Sequence, residues 1–175
     1  MYSQYMFARK IIYFFTALLV FIAFTACDDD SEYKTPDQLA KERQTEIMEC
    51  FVNKDKETLK SFFSEYVINK YPDIDSQIDE AFNFLDGEIV SYDEPNSRAS
   101  GSADKKSYGA STLKIITNKG TEYEIGFKGL LTNEKETDKI GVSLIGVHNT
   151  SLKNQNEDNS DVIVKADIYI GASTE

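Results

Sequence analysis

At Gly87 the apolar residues change their spacing, and that change restricts the fold more than any other feature of the chain. Before it, Leu59, Phe62, Phe63 and Tyr66 recur at i, i+3, i+4 and i+7, the period of a helix with one buried face. Ile74, Ile78, Ala81, Phe82 and Leu85 follow the same rule. After it, alternation takes over. Tyr123, Ile125, Phe127 and Leu131 point one way, and Glu122, Glu124 and Lys128 the other. A run of helices followed by a run of strands predicts an α+β domain, with helices packed on one face of an antiparallel sheet.

Three helices are expected. Thr35-Pro36-Asp37-Gln38 has the layout of a capping box, with Pro at the first helical position. The first helix then runs to about Asn53, with Leu39, Ile47 and Phe51 on its stripe. Asn53-Lys54-Asp55 breaks it, and a second short helix starts from a cap near Asp55. Tyr71-Pro72-Asp73 is the next stop. The third helix ends at Asp86-Gly87, where glycine is expected to take the left-handed cap.

Glu88 to Asp93 reads as the first strand. Glu94 to Lys106, rich in Ser, Gly and Ala, reads as a mobile loop. Leu113, Ile115 and Thr117 alternate with Lys114 and Ile116, and Asn118-Lys119-Gly120 is a hairpin turn. Thr132 to Lys139 turns the chain again. Ile140, Val142 and Leu144 share one parity, whereas Ile145 and Val147 have the other, which predicts a β-bulge next to Gly146 and a curved sheet. Asn149 to Asp161 is a polar linker. Val162 to Ile170 alternates once more, as an extra edge strand or as an extension that pairs with another molecule.

The N-terminus speaks to location. Arg9 and Lys10 precede an apolar run from Ile11 to Ala26, which stops at Asp28-Asp29-Asp30. That run is shorter than the roughly 20 apolar residues of a membrane-spanning helix. A basic start, a short apolar stretch and a small-residue exit describe a secretory signal. Phe24-Thr25-Ala26-Cys27 resembles the lipobox of bacterial lipoproteins, with Phe24 where Leu is usual. The resemblance implies a diacylglyceryl group on the Cys27 thiol and cleavage before it. Two acyl chains hold a protein on a bilayer where one binds only marginally. Residues 1–26 are therefore expected to be a signal peptide, 27–34 a lipidated tether, 35–148 the folded domain, and 149–175 the linker with the extra strand. The expected location is the outer face of the cell membrane.

Charge and cysteine content narrow the chemistry. Residues 1–26 hold Arg9 and Lys10 and no acid, so without them the formal charge falls from −11 to −13. A surface this acidic does not suit nucleic acid, whose phosphates need a basic face. With Cys27 acylated, Cys50 has no partner in the chain, which excludes a disulfide framework or a zinc cluster of cysteines. A single histidine excludes zincin and Cys–His designs. Gly-x-Ser-x-Gly, the phosphate loop and the dinucleotide fingerprint do not occur. Asp73-Ile74-Asp75 opens like a calcium loop, but Ile78 and Phe84 stand where Gly and Glu are required. Asp75 with Asp79, and Glu122 with Glu124, read as solvated faces. No metal or cofactor is expected.

A resemblance rests on particular stretches. Phe51-Val52-Asn53-Lys54-Asp55, Leu59 to Ser64, Gly87-Glu88-Ile89-Val90-Ser91-Tyr92, Thr117-Asn118-Lys119-Gly120 with Tyr123, and Lys139-Ile140-Gly141-Val142 resemble a family of uncharacterised lipoproteins of Gram-positive bacteria. The likeness covers about residues 36–148. It implies a fold similar to nuclear transport factor 2, a cone of three N-terminal helices packed on a curved antiparallel sheet. Such a cone encloses a cavity, and Tyr92, Tyr123 and His148 are its candidate lining residues. Their donors and imidazole suit a polar ligand or an oxyanion. The residues themselves favour the plainer reading, with Tyr123 a core aromatic sharing the parity of Ile125 and Phe127 and His148 a solvated strand-end residue.

The leading expectation is a non-enzymatic, membrane-tethered binding or interaction module with a protein or cell-wall partner. The alternative is a small-molecule or proton-transfer site in the cone. A third is assembly through the sheet or through 162–170. Oligomeric state stays open.

Overall fold

A computed structural model describes residues 33–108, 111–152 and 167–172. Among these, four helices precede an open antiparallel sheet of seven strands, an α+β arrangement. The helices are α1 (Pro36–Asn53), α2 (Lys56–Ser61), α3 (Glu65–Lys70) and α4 (Ile74–Phe84). The strands are β1 (Ile89–Tyr92), β2 (Ala99–Gly101), β3 (Lys105–Tyr108), β4 (Thr112–Thr117), β5 (Glu122–Asn133), β6 (Gly141–Asn149) and β7 (Asp167–Ile170).

The capping box forms as the sequence predicts. Gln38 N donates to Thr35 Oγ1 at 3.3 Å, and Thr35 N donates to Gln38 Oε1 at 2.7 Å. The helix ends where Lys54 turns left-handed, at φ 53°. Its buried face, however, is Ala40, Gln44, Ile47, Met48, Cys50 and Phe51, and Leu39 is exposed. Leu39 lies about 100° around the helix from Ala40, outside the stripe that meets the sheet.

The second helix is two helices. Asp55 caps α2, accepting from Thr58 N at 3.0 Å. The helix then gives way: Phe62 N and Phe63 N still donate to Leu59 O and Lys60 O, but Phe62 O and Ser64 N bond to β6. Val142 N donates to Phe62 O at 2.8 Å, and Ser64 N donates to Val142 O at 3.0 Å. Ser64 Oγ restarts the chain as the cap of α3. This break leaves Tyr66 exposed, although its spacing matches the buried stripe. Gly87 also departs from expectation, since it is not among the residues with positive φ. A Cβ there would sit 2.2 Å from Asn118 Oδ1, so a larger residue requires that side chain to move. Gly120 does take positive φ, at 82°, in the turn between β4 and β5.

The sheet is organised around β5, whose twelve residues are long enough to serve two neighbours on one edge. β4 pairs with its first half and β3 with its second half, while β6 lies along the other edge. Outside these, β1 flanks β4, β2 flanks β3 and β7 flanks β6. The segment expected as a loop thus holds the β2–β3 hairpin. Its strands read Ala-Ser-Gly and Lys-Lys-Ser-Tyr and bury little, so no apolar alternation marks them. The irregularity in β6 falls between Val142 and Leu144, opposite Lys128 and Gly129, and not at Gly146. The parity slip is the same, but Ser143 is the residue bulged out of register.

One face of the sheet receives the helices. Leu113, Ile115, Tyr123, Ile125, Phe127, Val142, Ile145, Val147, Ile168 and Ile170 are buried there in one cluster with Ala40, Ile47, Phe51, Leu59, Ile78 and Phe82. Phe51 meets Phe82 edge-on, with centroids 5.3 Å apart. Each such aliphatic or aromatic side chain contributes about 1.5–3 kcal/mol by leaving water.

A trough on the outer face of the sheet

Strand alternation sends every second residue to the face away from the helices, and register decides which of them meet. Thr112 lies opposite Gly126, Gly126 opposite Gly146, and Gly146 opposite Tyr169. One row across four strands therefore has no side chain at its two central positions. The result is a trough of about 360 Å³, bounded by Thr112, Lys128, Leu144, His148 and Tyr169. Neighbouring side chains lean over the bare backbone. A Cβ on Gly146 would lie 3.0 Å from His148 Nε2 and 3.1 Å from Tyr169 Cε1, and one on Gly126 would lie 2.9 Å from Thr112 Cγ2.

His148 is held from behind. The next row pairs Glu124 with His148 and His148 with Asp167. His148 Nδ1 and Asp167 Oδ1 are 2.7 Å apart. An ionised carboxylate only accepts, so Nδ1 carries the hydrogen, and the neutral ring keeps a lone pair on Nε2. That nitrogen faces the trough over Gly146. Tyr169 stacks edge-on against the ring, at 5.6 Å between centroids. The trough thus presents His148 Nε2, an acceptor while the ring is neutral, with the Lys128 side chain, the Thr112 methyl and an aromatic wall around it. A small polar ligand with a donor for Nε2 fits these groups.

The candidate cavity residues do not converge. His148 is on the outer face. Tyr123 is on the inner face and 1% exposed. Its hydroxyl accepts from Asp86 N at 3.2 Å and donates to Phe84 O at 3.3 Å, fastening the end of α4 to β5. Burial pushes its pKa up. Tyr92 is 42% exposed on the edge strand β1. Beside Tyr123, the Asp86 carboxylate accepts from the Thr117 hydroxyl at 2.8 Å and from Thr121. Burial works against its charged form, yet the two hydroxyls, with the Lys119 charge and the Tyr123 hydroxyl, together hold its pKa below the usual value.

The groups between helices and sheet form a packed core, and its polar members are clamps. Gln44 Oε1 accepts from Asn96 N at 2.7 Å and Ser97 N at 2.8 Å, and its Nε2 donates to Ser111 Oγ at 2.9 Å. Gln77 Oε1 accepts from Gly171 N at 2.8 Å, and its Nε2 donates to Ala172 O at 3.2 Å. Sequence reading missed both. The signal was a glutamine at helical spacing within a buried stripe, four residues after Ala40 in one case and three residues after Ile74 in the other. Cys50 is a 3% exposed core residue, and burial raises its thiol pKa to about 11, so it stays protonated and unreactive at neutral pH. The acid pairs are each engaged by lysine: Asp75 with Lys60, Asp79 with Lys56 and Glu122 with Lys114. Among the described residues, no group of three or more His, Cys, Asp or Glu is placed to hold a metal ion.

Cys27 and the segment before it lie outside the described residues, as do Val162 and Val164. No described helix is long and apolar enough to cross a membrane. A search among curated proteins found no match. The model of one family, a domain of unknown function (DUF5104), matches residues 46–157. That span includes His148, Gly126, Gly146 and Lys128, while Asp167 and Tyr169 lie beyond it. With more than half of its length matched, the chain belongs to the DUF5104 family.

Proposed function

We propose that this chain is a lipid-anchored, extracytoplasmic binding module, without catalytic activity of its own, whose binding surface is the outer-face trough. The observation that carries the reading is His148, oriented by Asp167 and aimed across Gly146 into an open concavity. Support for the anchor is the short apolar leader ending at Cys27, and the acid-rich body is consistent with a domain that reaches the membrane through lipid alone. In this reading the fold is nuclear-transport-factor-2-like, with α2 and α3 as one helix interrupted by its bonds to β6. The space where such a cone would hold a ligand is filled by Phe51, Phe82 and their aliphatic neighbours, which moves the binding surface to the opposite face.

The test is affinity capture from intact cell envelopes with the full-length chain. The wild type should recover a protein or cell-wall component, and H148A with Y169A should lose it. Equal recovery by the variant sinks the trough as the binding surface. Mass spectrometry of the mature protein should find Cys27 diacylated, and an unmodified Cys27 removes the anchor.

The same His–Asp pair favours a second reading, in which Nε2 takes a proton from a bound small molecule. H148Q separates the two. Glutamine keeps an acceptor, so binding should persist, while it cannot serve as a base, so any turnover should vanish.

A further inference from the structure

A second pocket, of about 310 Å³, opens where α3 approaches the turn before β6. Its lining holds two lysines, Lys70 and Lys139, and no carboxylate, in a chain with 30 acids and 19 bases. Both ammonium groups sit against one ring. Lys139 Nζ lies 5.2 Å from the Tyr66 centroid and Lys70 Nζ 5.7 Å from it, and Lys70 is also 5.1 Å from the Tyr71 centroid. Lys139 is held by Glu136, whereas Lys70 makes no ion pair among the described residues. Lys70 is thus the cation of this pocket without a carboxylate partner among the described residues, and an anion bound beside it supplies one. Tyr66 is 42% exposed at this opening, although its spacing in the sequence belongs to the buried stripe. The break after α2 is what turns it outward.

We infer that this pocket is a binding site for a small organic carboxylate. The carboxylate is held between Lys70 and Lys139, and a flat apolar body lies against the Tyr66 and Tyr71 rings. The site is separate from the trough: Lys70 and Lys139 line one, and Lys128 and His148 the other. Its failure would leave the trough untouched.

The probe is benzoate, titrated calorimetrically at low ionic strength into the full-length chain in a nonionic detergent. Benzamide, its neutral isostere, and inorganic phosphate serve as comparisons. Benzoate should bind saturably and benzamide should not. K70M should weaken benzoate at least tenfold, K70M with K139M should abolish it, and K70R with K139R should restore it. Lys70 lies on the surface, so K70M should melt with the wild type, and the Arg pair checks binding in a chain that keeps both charges. Equal binding of benzoate and benzamide, or benzoate binding unchanged in K70M, overturns the site. Phosphate binding as tight as benzoate overturns the choice of a carboxylate with a flat body.

Discussion

The two faces of the sheet are made by the same strands and behave differently. On the inner face, β4, β5, β6 and β7 present Ile115, Ile125, Phe127, Ile145, Val147 and Ile170, sealed beneath four helices. On the outer face the same strands present exposed Thr112 and Tyr169, half-buried Gly126 and His148, and Gly146 buried beneath its neighbours. Alternation lets one surface carry stability and the other carry recognition, with few residues shared between the tasks. The inner face tolerates little change, because interiors are close-packed. The outer face can vary its chemistry at small cost to folding.

Four substitutions would break or sharpen that contrast. The largest effect belongs to the inner face. Phe51→Ala removes a 2% exposed ring from its contact with Phe82 and should cost about 3–5 kcal/mol in urea unfolding. A loss below about 1 kcal/mol would mean that the helices rest only loosely on the sheet. Gln44→Ala comes next, at about 1–3 kcal/mol, because it leaves two backbone N–H groups without their acceptor. Hydrogen exchange should quicken at Asn96 and Ser97 more than elsewhere.

Asp86 links pH to the inner face. Its folded pKa is lowered, so its contribution is present above the unfolded value, near 3.8, and is lost as pH falls through the folded value. Asp86→Asn should flatten the acid limb of stability below about pH 4 and leave the alkaline side unchanged. An unaltered acid limb would show that Thr117 and Thr121 do not favour the charged form. The smallest effect on folding is expected at the trough. His148→Ala should cost under about 1 kcal/mol, since the His148–Asp167 pair is partly exposed. Its effect on capture should nevertheless be complete. A large loss of stability in H148A would erase the division of labour between the faces.

How much of this was legible follows from what each feature depends on. The α+β class, the Thr35 and Asp55 caps and the β4–β5 turn depend on neighbours within a few residues, and all can be read from the sequence. The break at Phe62–Ser64 depends on two backbone bonds to Val142, some eighty residues away, so the period at Phe62, Phe63 and Tyr66 concealed it. The β2–β3 hairpin buries too little to alternate. The trough depends on register. Gly126 and Gly146 each hint at a close approach in a strand interior. That they face each other, with Thr112 and Tyr169 completing the row, is fixed only by the pairing of four strands. The alternation around Ile168 and Ile170 did place Asp167 and Tyr169 on the opposite face, which was the available clue to a partner for His148.

The hold of Gln77 on Gly171 and Ala172 changes the status of the last strand. A chain shortened to residue 157, where the family match ends, would forfeit more than a tail. The Gln77 amide would keep Asp73 as its partner and lose the other two, Ile168 and Ile170 would leave a gap over α4, and His148 would lose its brace. Shortened versions made to simplify handling would therefore report on a damaged protein, and any activity they lacked would say little about the intact one.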